Sequence, residues 1–167
     1  MMRRLKRHIQ HLLSAPWQVH RYFSRQALTN IKAAIRDSER QHAGQIRFAV
    51  EVGLHPYALW QGKTPRQRAI ELFARLGVWD TAHNNGVLIY LLLADHDVEI
   101  VADRGIHAHV GATQWEHVCR EMESMFRRGE FEAGVLFGIE RIGTLLSQHF
   151  PPEHDQANEL SDAPVLL

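Results

Sequence analysis

One segment constrains the fold of this chain more than any other: a polar turn that runs directly into a continuous apolar strand. Asn84, Asn85 and Gly86 form the turn, and seven apolar residues follow at 87–93. A strand that is apolar on both faces belongs in the middle of a sheet that is covered on both sides. The sequence therefore predicts a central, buried strand whose polar start is held by a rigid scaffold.

Two further segments have the pattern of strands that flank the central one. Residues 45–52 alternate in the manner of a strand. Residues 98–102 follow the central strand after a tight turn at 95–97, and we expect them to pair antiparallel to it. A helix begun by Thr64 and Pro65 separates the first two strands, which predicts a parallel pair with a right-handed crossover.

Apolar residues recur at helical spacing on both sides of these strands. Two helices precede the strands, the second capped by Ser24, and two follow them. This order predicts an α/β fold, with a small mixed β-sheet sandwiched between helices (α/β/α) and extra N-terminal helices. We expect a basic N-terminal helical segment over 1–43, an α/β/α domain over 44–150 and an acidic disordered tail over 151–167.

Charge is distributed unevenly, although the chain of 167 residues has a formal net charge of zero. Residues 1–40 carry nine Lys or Arg against two acidic residues, and residues 151–167 carry four acidic residues and no Lys or Arg. The basic segment could bind an anionic membrane surface, meet a protein partner, or pack its apolar face on the acidic remainder. Because the positive charge is confined to one end, we do not expect nucleic acid as a partner.

The sequence favours a cytoplasmic protein. Cys119 is the single cysteine, so no intrachain disulfide can form, and no apolar run of secretory length follows the basic start. The longest apolar run, at 87–94, is far shorter than the roughly 20 residues needed to span a bilayer. If residues 1–40 bind lipid, we expect peripheral association with the inner membrane face.

Polar side chains are predicted to meet at one end of the hairpin. If the central strand and the one after it run antiparallel, Asn84 and Asn85 neighbour Asp103 and Arg104. Asp80 arrives at the same end from the preceding loop. Carboxylate and amide oxygens are hard donors of the kind that Ca²⁺ or Mg²⁺ takes. The sequence thus predicts a Ca²⁺ or Mg²⁺ site with Asp80, Asn84, Asn85 and Asp103 as ligands.

These groups also have a purely structural interpretation, which the sequence leaves open. The asparagines could simply form a turn, because Asn tolerates left-handed backbone angles, and Asp103 could only cap the loop. A zinc site is a further alternative. His107 and His109 would project to the same side of an extended segment and could bind zinc or another transition metal, with His83 and Asp103 as further candidate ligands.

At this point the chain resembles a known family, the TPM domain, found in thylakoid-lumen photosystem-repair proteins and many bacterial proteins, some described as phosphatase-like. The resemblance covers residues 44–149. It is carried by Thr81, residues 84–88, residues 98–106, Trp115 and the aromatic and glycine pattern over 126–134. It implies an α/β/α sandwich and, in some members, a divalent-metal site and weak phosphatase activity. Relatives often carry a glutamate after the hairpin, where this chain has His107 and His109.

Two functions from different classes follow as hypotheses. The first is a non-catalytic accessory or interaction module, with or without a bound divalent metal. The second is a weak metal-dependent phosphatase acting on phosphate monoesters, with Asp103 and Arg104 as catalytic residues. There the metal would polarise the phosphoryl group and activate a water, and Arg104 would clamp the phosphate. The sequence contains no obvious nucleophile beside a base, which favours the first hypothesis.

Overall fold

The computed structural model describes residues 2–152 and 158–167. Its centre is a mixed sheet of four strands in the order β3-β2-β1-β4. The strands are β1 (Gln45–Glu51), β2 (Gly86–Leu92), β3 (Asp97–Ala102) and β4 (Val165–Leu166). β1 pairs parallel with β2 and with β4, whereas β2 pairs antiparallel with β3. The predicted pairing of the three longer strands is confirmed, and every residue of β2 is buried.

Helices cover both faces of this sheet. In the described part of the chain they are α1 (Met2–Leu12), α2 (Val19–Tyr22), α3 (Arg25–Glu39), α4 (Pro56–Trp60), α5 (Pro65–Arg75), α6 (Arg104–Val110), α7 (Ala112–Arg127) and α8 (Phe131–His149). None of these helices is both long enough and apolar enough to cross a membrane. The predicted cap at Ser24 is present, because its side chain accepts a hydrogen bond from the Ala27 N–H. Thr64 and Gln67 likewise form a reciprocal capping box at the start of α5.

The alternation of side chains along β2 divides the interior into two cores. Ile89 faces the larger core, which α3, α7 and α8 line, and Leu88 and Tyr90 face the smaller core beneath α5. Residues 19–35 contribute to the larger core as well. α3 packs on α8 and β1, so the folded domain includes residues before position 44, where the sequence pattern changes.

The C-terminal tail differs from the predicted disorder over residues 158–167. β4 pairs with β1, and the Leu167 N–H donates to the Val50 carbonyl at 2.9 Å. Leu160 and Asp162 are buried. Without β4, this side of β1 would be an open sheet edge with unpaired backbone groups, which gives the tail a reason to order. Residues 153–157 of the predicted tail lie outside the described residues.

Candidate metal site

The turn before β2 and the turn after β3 meet at one edge of the sheet, as the sequence predicts. β2 and β3 run antiparallel, and the Asp103 N–H donates to the Gly86 carbonyl at 2.9 Å. Gly105 lies against the same turn, since a Cβ there would stand 2.8 Å from the Asn84 carbonyl oxygen. The backbone thus brings the asparagine pair and the aspartate–arginine pair to a common place.

Asn84 forms the turn itself. Its φ of 51° is left-handed, and its N–H donates to the Thr81 carbonyl at 3.2 Å. The Thr81 hydroxyl accepts a hydrogen bond from the Asn85 N–H at 3.0 Å. The Asn84 side chain is exposed. The backbone role that the sequence leaves open for Asn84 is therefore present in the fold.

Asn85 ties this turn to the start of β1. Its side chain is only 1% exposed. The amide nitrogen donates to the Ala43 carbonyl, and the backbone carbonyl accepts from the Gln45 N–H at 2.9 Å. The side-chain oxygen Oδ1 is buried and has no hydrogen-bond partner within the described structure. One strong acceptor is therefore left over after the structural role of Asn85 has been fulfilled.

Asp103 shows the same division between a paired and an unpaired oxygen. It is the N-cap of α6, and Oδ1 accepts a hydrogen bond from the Arg104 N–H at 2.6 Å. Oδ2 is buried and unpartnered within the described residues. Four buried side-chain atoms in that part of the chain lack a partner, and two of them belong to Asn85 and Asp103. An unpaired buried polar atom costs about 1–3 kcal/mol, so this pair requires a physical explanation.

The other predicted site residues are placed less tightly. Asp80 is exposed in the preceding loop, where its N–H donates to the Gly77 carbonyl at 3.0 Å. Arg104 is exposed in the first turn of α6. The predicted set therefore divides into a buried pair with free oxygens, Asn85 and Asp103, and an exposed pair of candidate ligands, Asp80 and Asn84.

The zinc alternative rests on an extended segment that is in fact helical. Residues two apart in a helix point about 200° away from each other, so His107 and His109 do not share a side. His109 stacks on His149 with ring centroids 5.7 Å apart, whereas His107 lines a separate cavity beside Trp115. The sequence hypothesis missed α6 because only seven residues form it, with Gly105 in its first turn.

A further carboxylate reaches this edge from the C-terminal segment. The Glu159 side chain accepts a hydrogen bond from the Ala82 N–H at 2.9 Å. The Gln45 side-chain oxygen holds that segment, since it accepts from the backbone N–H groups of Glu159 and Leu160 at 3.0 and 3.2 Å. The local sequence does not predict that Glu159 approaches this edge, because the contacts join residues more than 70 positions apart.

The opposite end of the sheet holds a second polar cluster. Arg7 forms an ion pair with Asp95 at 2.9 Å, and His11 Nε2 lies 3.0 Å from the same carboxylate. Burial opposes ionisation of Asp95, but the hydrogen bonds from His11 and Arg7 outweigh it and lower the pKa of Asp95 to about 2. Each of these groups has a partner, so the cluster is explained by structure alone.

The donor chemistry at the first edge suits a hard cation better than a transition metal. Over residues 2–152 and 158–167, no group of three or more His, Cys, Asp or Glu side chains is arranged to hold a metal ion. A site built on Asn85 and Asp103, with Asp80 and Asn84 as further candidate ligands, would therefore combine carboxylate and amide oxygens. Neutral and anionic oxygens of this kind are the ligands of Ca²⁺ and Mg²⁺.

Comparison with known proteins agrees with the fold. The chain is similar to the BA42 protein of the psychrophilic bacterium Bizionia argentinensis, solved by NMR, with 29% identity, a TM-score of 0.76 and coverage of 86% of this chain and 94% of that one. It shares its fold with the N-terminal domain of a protein from P. gingivalis, with 20% identity, a TM-score of 0.60 and coverage of 79% and 83%. No curated protein matches the chain. The TPM domain matches residues 19–145, which include α3, β1 to β3 and both sides of the edge motif, and the chain belongs to the TPM domain family.

Proposed function

We infer that this protein is a non-catalytic TPM-domain module that binds a divalent cation, Ca²⁺ or Mg²⁺, at the edge formed by Asn85 and Asp103. The supporting observation is the pair of buried, unpartnered oxygens on two adjacent segments. A bound cation would satisfy both oxygens and neutralise the carboxylate. It would also link the turn before β2 to the start of α6, and the exposed Asp80 and Asn84 would complete the ligand set.

The protein's own residues supply the rigidity that such a site needs. Asn85 is fixed by Ala43 and Thr81, and Asp103 is fixed by its cap to Arg104 and by the Gly86 carbonyl. Both unpartnered oxygens are shielded from solvent, so a cation would reach them only after a small local opening of this edge. As an accessory module, the protein would present this edge to a protein partner whose identity the chain does not reveal.

Titration with CaCl₂ or MgCl₂, followed by amide chemical shifts, tests this function. We expect saturable shifts confined to residues 80–86 and 103–109. Asp103→Asn is the matched variant, because asparagine also caps helices and has nearly the same shape, so folding is retained while the charge is lost. Its affinity should fall by about tenfold or more, since charge count sets affinity at oxygen sites.

Asp97→Asn provides the control, because Asp97 is a carboxylate at the opposite end of the sheet. It should leave cation affinity unchanged. Absence of shifts at the two edge segments at millimolar cation, or equal affinity of Asp103→Asn and the wild-type protein, would contradict the proposal.

The alternative function, a weak metal-dependent phosphatase, has one structural point in its favour. The exposed guanidinium of Arg104 directly follows Asp103 in the chain and is available to an incoming phosphate. Hydrolysis of p-nitrophenyl phosphate that requires Mg²⁺ and is lost in both Asp103→Asn and Arg104→Ala would replace the accessory role. Turnover that survives both substitutions does not arise at this site.

A further inference from the structure

Helix α1 is attached to the domain by its polar side. Arg7 donates to the Asp95 carboxylate from Nε, at 3.0 and 3.1 Å to its two oxygens, and from Nη2, at 2.9 Å. His11 is buried with Nε2 3.0 Å from Asp95, and its Nδ1 accepts a hydrogen bond from the Leu54 N–H at 2.9 Å. His11 therefore bridges a carboxylate and a backbone donor from two different loops, which fixes the rotation of α1 about its own axis.

The apolar side of the same helix faces solvent. Ile9, Leu12 and Leu13 are 48%, 60% and 72% exposed. Since successive residues turn by about 100°, Ile9 points almost directly away from His11. A surface helix ordinarily buries its apolar stripe and exposes its polar one. Over residues 7–12, whose side chains the structure describes, α1 does the reverse. The sequence alternative in which the apolar face packs on the domain is wrong for these residues.

Exposed aromatic side chains also lie just beyond α1 and on its neighbouring helix α4. Trp17, just beyond α1, is 64% exposed. α1 packs against α4, whose Tyr57 and Trp60 are 60% and 81% exposed, with ring centroids 6.3 Å apart. We name these residues together the α1–α4 surface: Ile9, Leu12, Leu13, Trp17, Tyr57 and Trp60.

The N-terminal sequence that carries α1 is strongly basic. Residues 1–36 contain eight Lys or Arg and neither Asp nor Glu. Leu and Ile partition into acyl chains, whereas Trp and Tyr favour the headgroup level of a bilayer. Basic residues beside such a face add attraction to anionic lipid. This combination of apolar, aromatic and basic side chains suits the surface of an anionic lipid bilayer.

We propose that the α1–α4 surface docks this protein peripherally on an anionic lipid bilayer. Leu12 and Leu13 enter the headgroup–acyl boundary, Trp17 and Trp60 lie at headgroup depth, and the basic residues meet the lipid phosphates. The Arg7–Asp95–His11 cluster holds the apolar stripe outward before lipid is met, so no refolding of α1 is required on binding. This inference is independent of the cation site, which lies at the other end of the sheet.

Co-sedimentation with vesicles tests the proposal on the full chain. We expect binding to phosphatidylcholine vesicles that contain phosphatidylglycerol, and much less binding to pure phosphatidylcholine or at high salt. The double variant Leu12→Ser/Leu13→Ser, and separately Trp60→Ala, should lower the partition coefficient by roughly tenfold or more, because each removes exposed apolar area from the contact. Both should unfold at the wild-type urea concentration, since the replaced side chains are exposed.

Trp79→Ala is the matched control. Trp79 is 54% exposed and precedes β2 at the opposite end of the sheet. Its replacement should leave vesicle binding unchanged. Equal binding of the wild-type protein and the Leu12/Leu13 variant would overturn the proposal, as would equal losses in Trp60→Ala and Trp79→Ala. Concentration-dependent dimers that disappear in the Leu12/Leu13 variant, without vesicle binding by the wild-type protein, would assign the surface to contact between copies instead.

Discussion

At the residue scale, two glycines allow backbone segments to approach closely at the edge of the sheet where the candidate site lies. A Cβ at Gly86 would lie 1.9 Å from the Val78 carbonyl oxygen, which is backbone and cannot rotate away. At Gly105 the corresponding distance, to the Asn84 carbonyl, is 2.8 Å. Glycine at these two positions is therefore needed for space, because neither adopts a positive φ.

These distances predict that replacement of glycine by alanine destabilises the protein more at position 86 than at position 105. Gly86→Ala should destabilise the protein by about 3 kcal/mol or more, or prevent folding, because strand or loop must move. Gly105→Ala should cost less, about 1–2 kcal/mol, since a shift of a few tenths of an ångström relieves the contact. Urea unfolding measures both, and the reverse order of stability would show that the two turns are packed differently.

A second residue-scale prediction concerns Asp97. Burial, aided by Glu99, Glu123 and Asp95, raises the pKa of Asp97 to about 7, and Arg7 only partly offsets this. The folded state therefore favours the protonated carboxyl, so its stabilising effect is full below about pH 4 and is lost as the pH rises through 7.

Asp97→Asn removes this titration. The variant should gain stability relative to the wild-type protein between pH 4 and pH 7, by about 1–2 kcal/mol after allowance for partial solvation. Urea unfolding of both proteins across this range measures the difference. A difference that stays constant with pH, or that falls, would contradict the assigned environment of Asp97.

At the element scale, α1 is attached to the rest of the domain through Arg7 and His11, and not through its exposed apolar residues. His11→Ala should leave the Leu54 N–H without its acceptor and Asp95 without one of its partners. We expect a loss of about 1–3 kcal/mol and faster amide hydrogen exchange over residues 7–12. His20→Ala, on the exposed side of α2, is the control and should change neither quantity.

The same scale shows which elements the sequence could predict. β1, β2, α3 and α5 were predictable because each combines a periodic pattern with a cap or a long apolar run. α4 and α6, with five and seven residues, are too short for periodicity to separate them from loops. β4 has two residues and exists only through its pairing with β1. Such short elements form only because of tertiary contacts, so the local sequence pattern does not predict them.

The sequence likewise predicts only part of the candidate site. The antiparallel hairpin was predictable, and with it the approach of Asp103 to the turn that ends at Gly86. Burial of one oxygen of each, and the approach of Glu159, depend on long-range contacts with Ala43 and the C-terminal segment. The orientation of α1 was not predictable either, because a helical pattern identifies an apolar stripe without saying which side the domain will cover.

At the scale of the whole molecule, a buried ionic cluster joins the sheet to α5. Arg68 donates to both oxygens of Glu51 at 2.9 Å, and the Tyr90 hydroxyl donates to Glu51 Oε2 at 2.7 Å. The cluster connects α5, β1 and β2, and so ties one helical layer to the central pair of strands. Burial and the adjacent Glu51 raise the pKa of Tyr90, which keeps its hydroxyl protonated as the donor.

Arg68→Met should therefore destabilise the whole domain, by about 3–5 kcal/mol, because it leaves a buried carboxylate without its counter-charge. The double variant Arg68→Met/Glu51→Gln should recover part of this loss, since the remaining group is neutral. Thermal unfolding monitored by circular dichroism measures both. Failure of the second substitution to restore any stability would mean that Arg68 acts through packing of its aliphatic portion alone.

The cation site at the sheet edge is the central claim, and a crystal structure determined with saturating CaCl₂ tests it most directly. We predict one cation in contact with both Asn85 Oδ1 and Asp103 Oδ2, at about 2.3–2.6 Å from each oxygen. A structure in which both oxygens accept hydrogen bonds from water or protein, with no cation between them at saturating calcium, would contradict it.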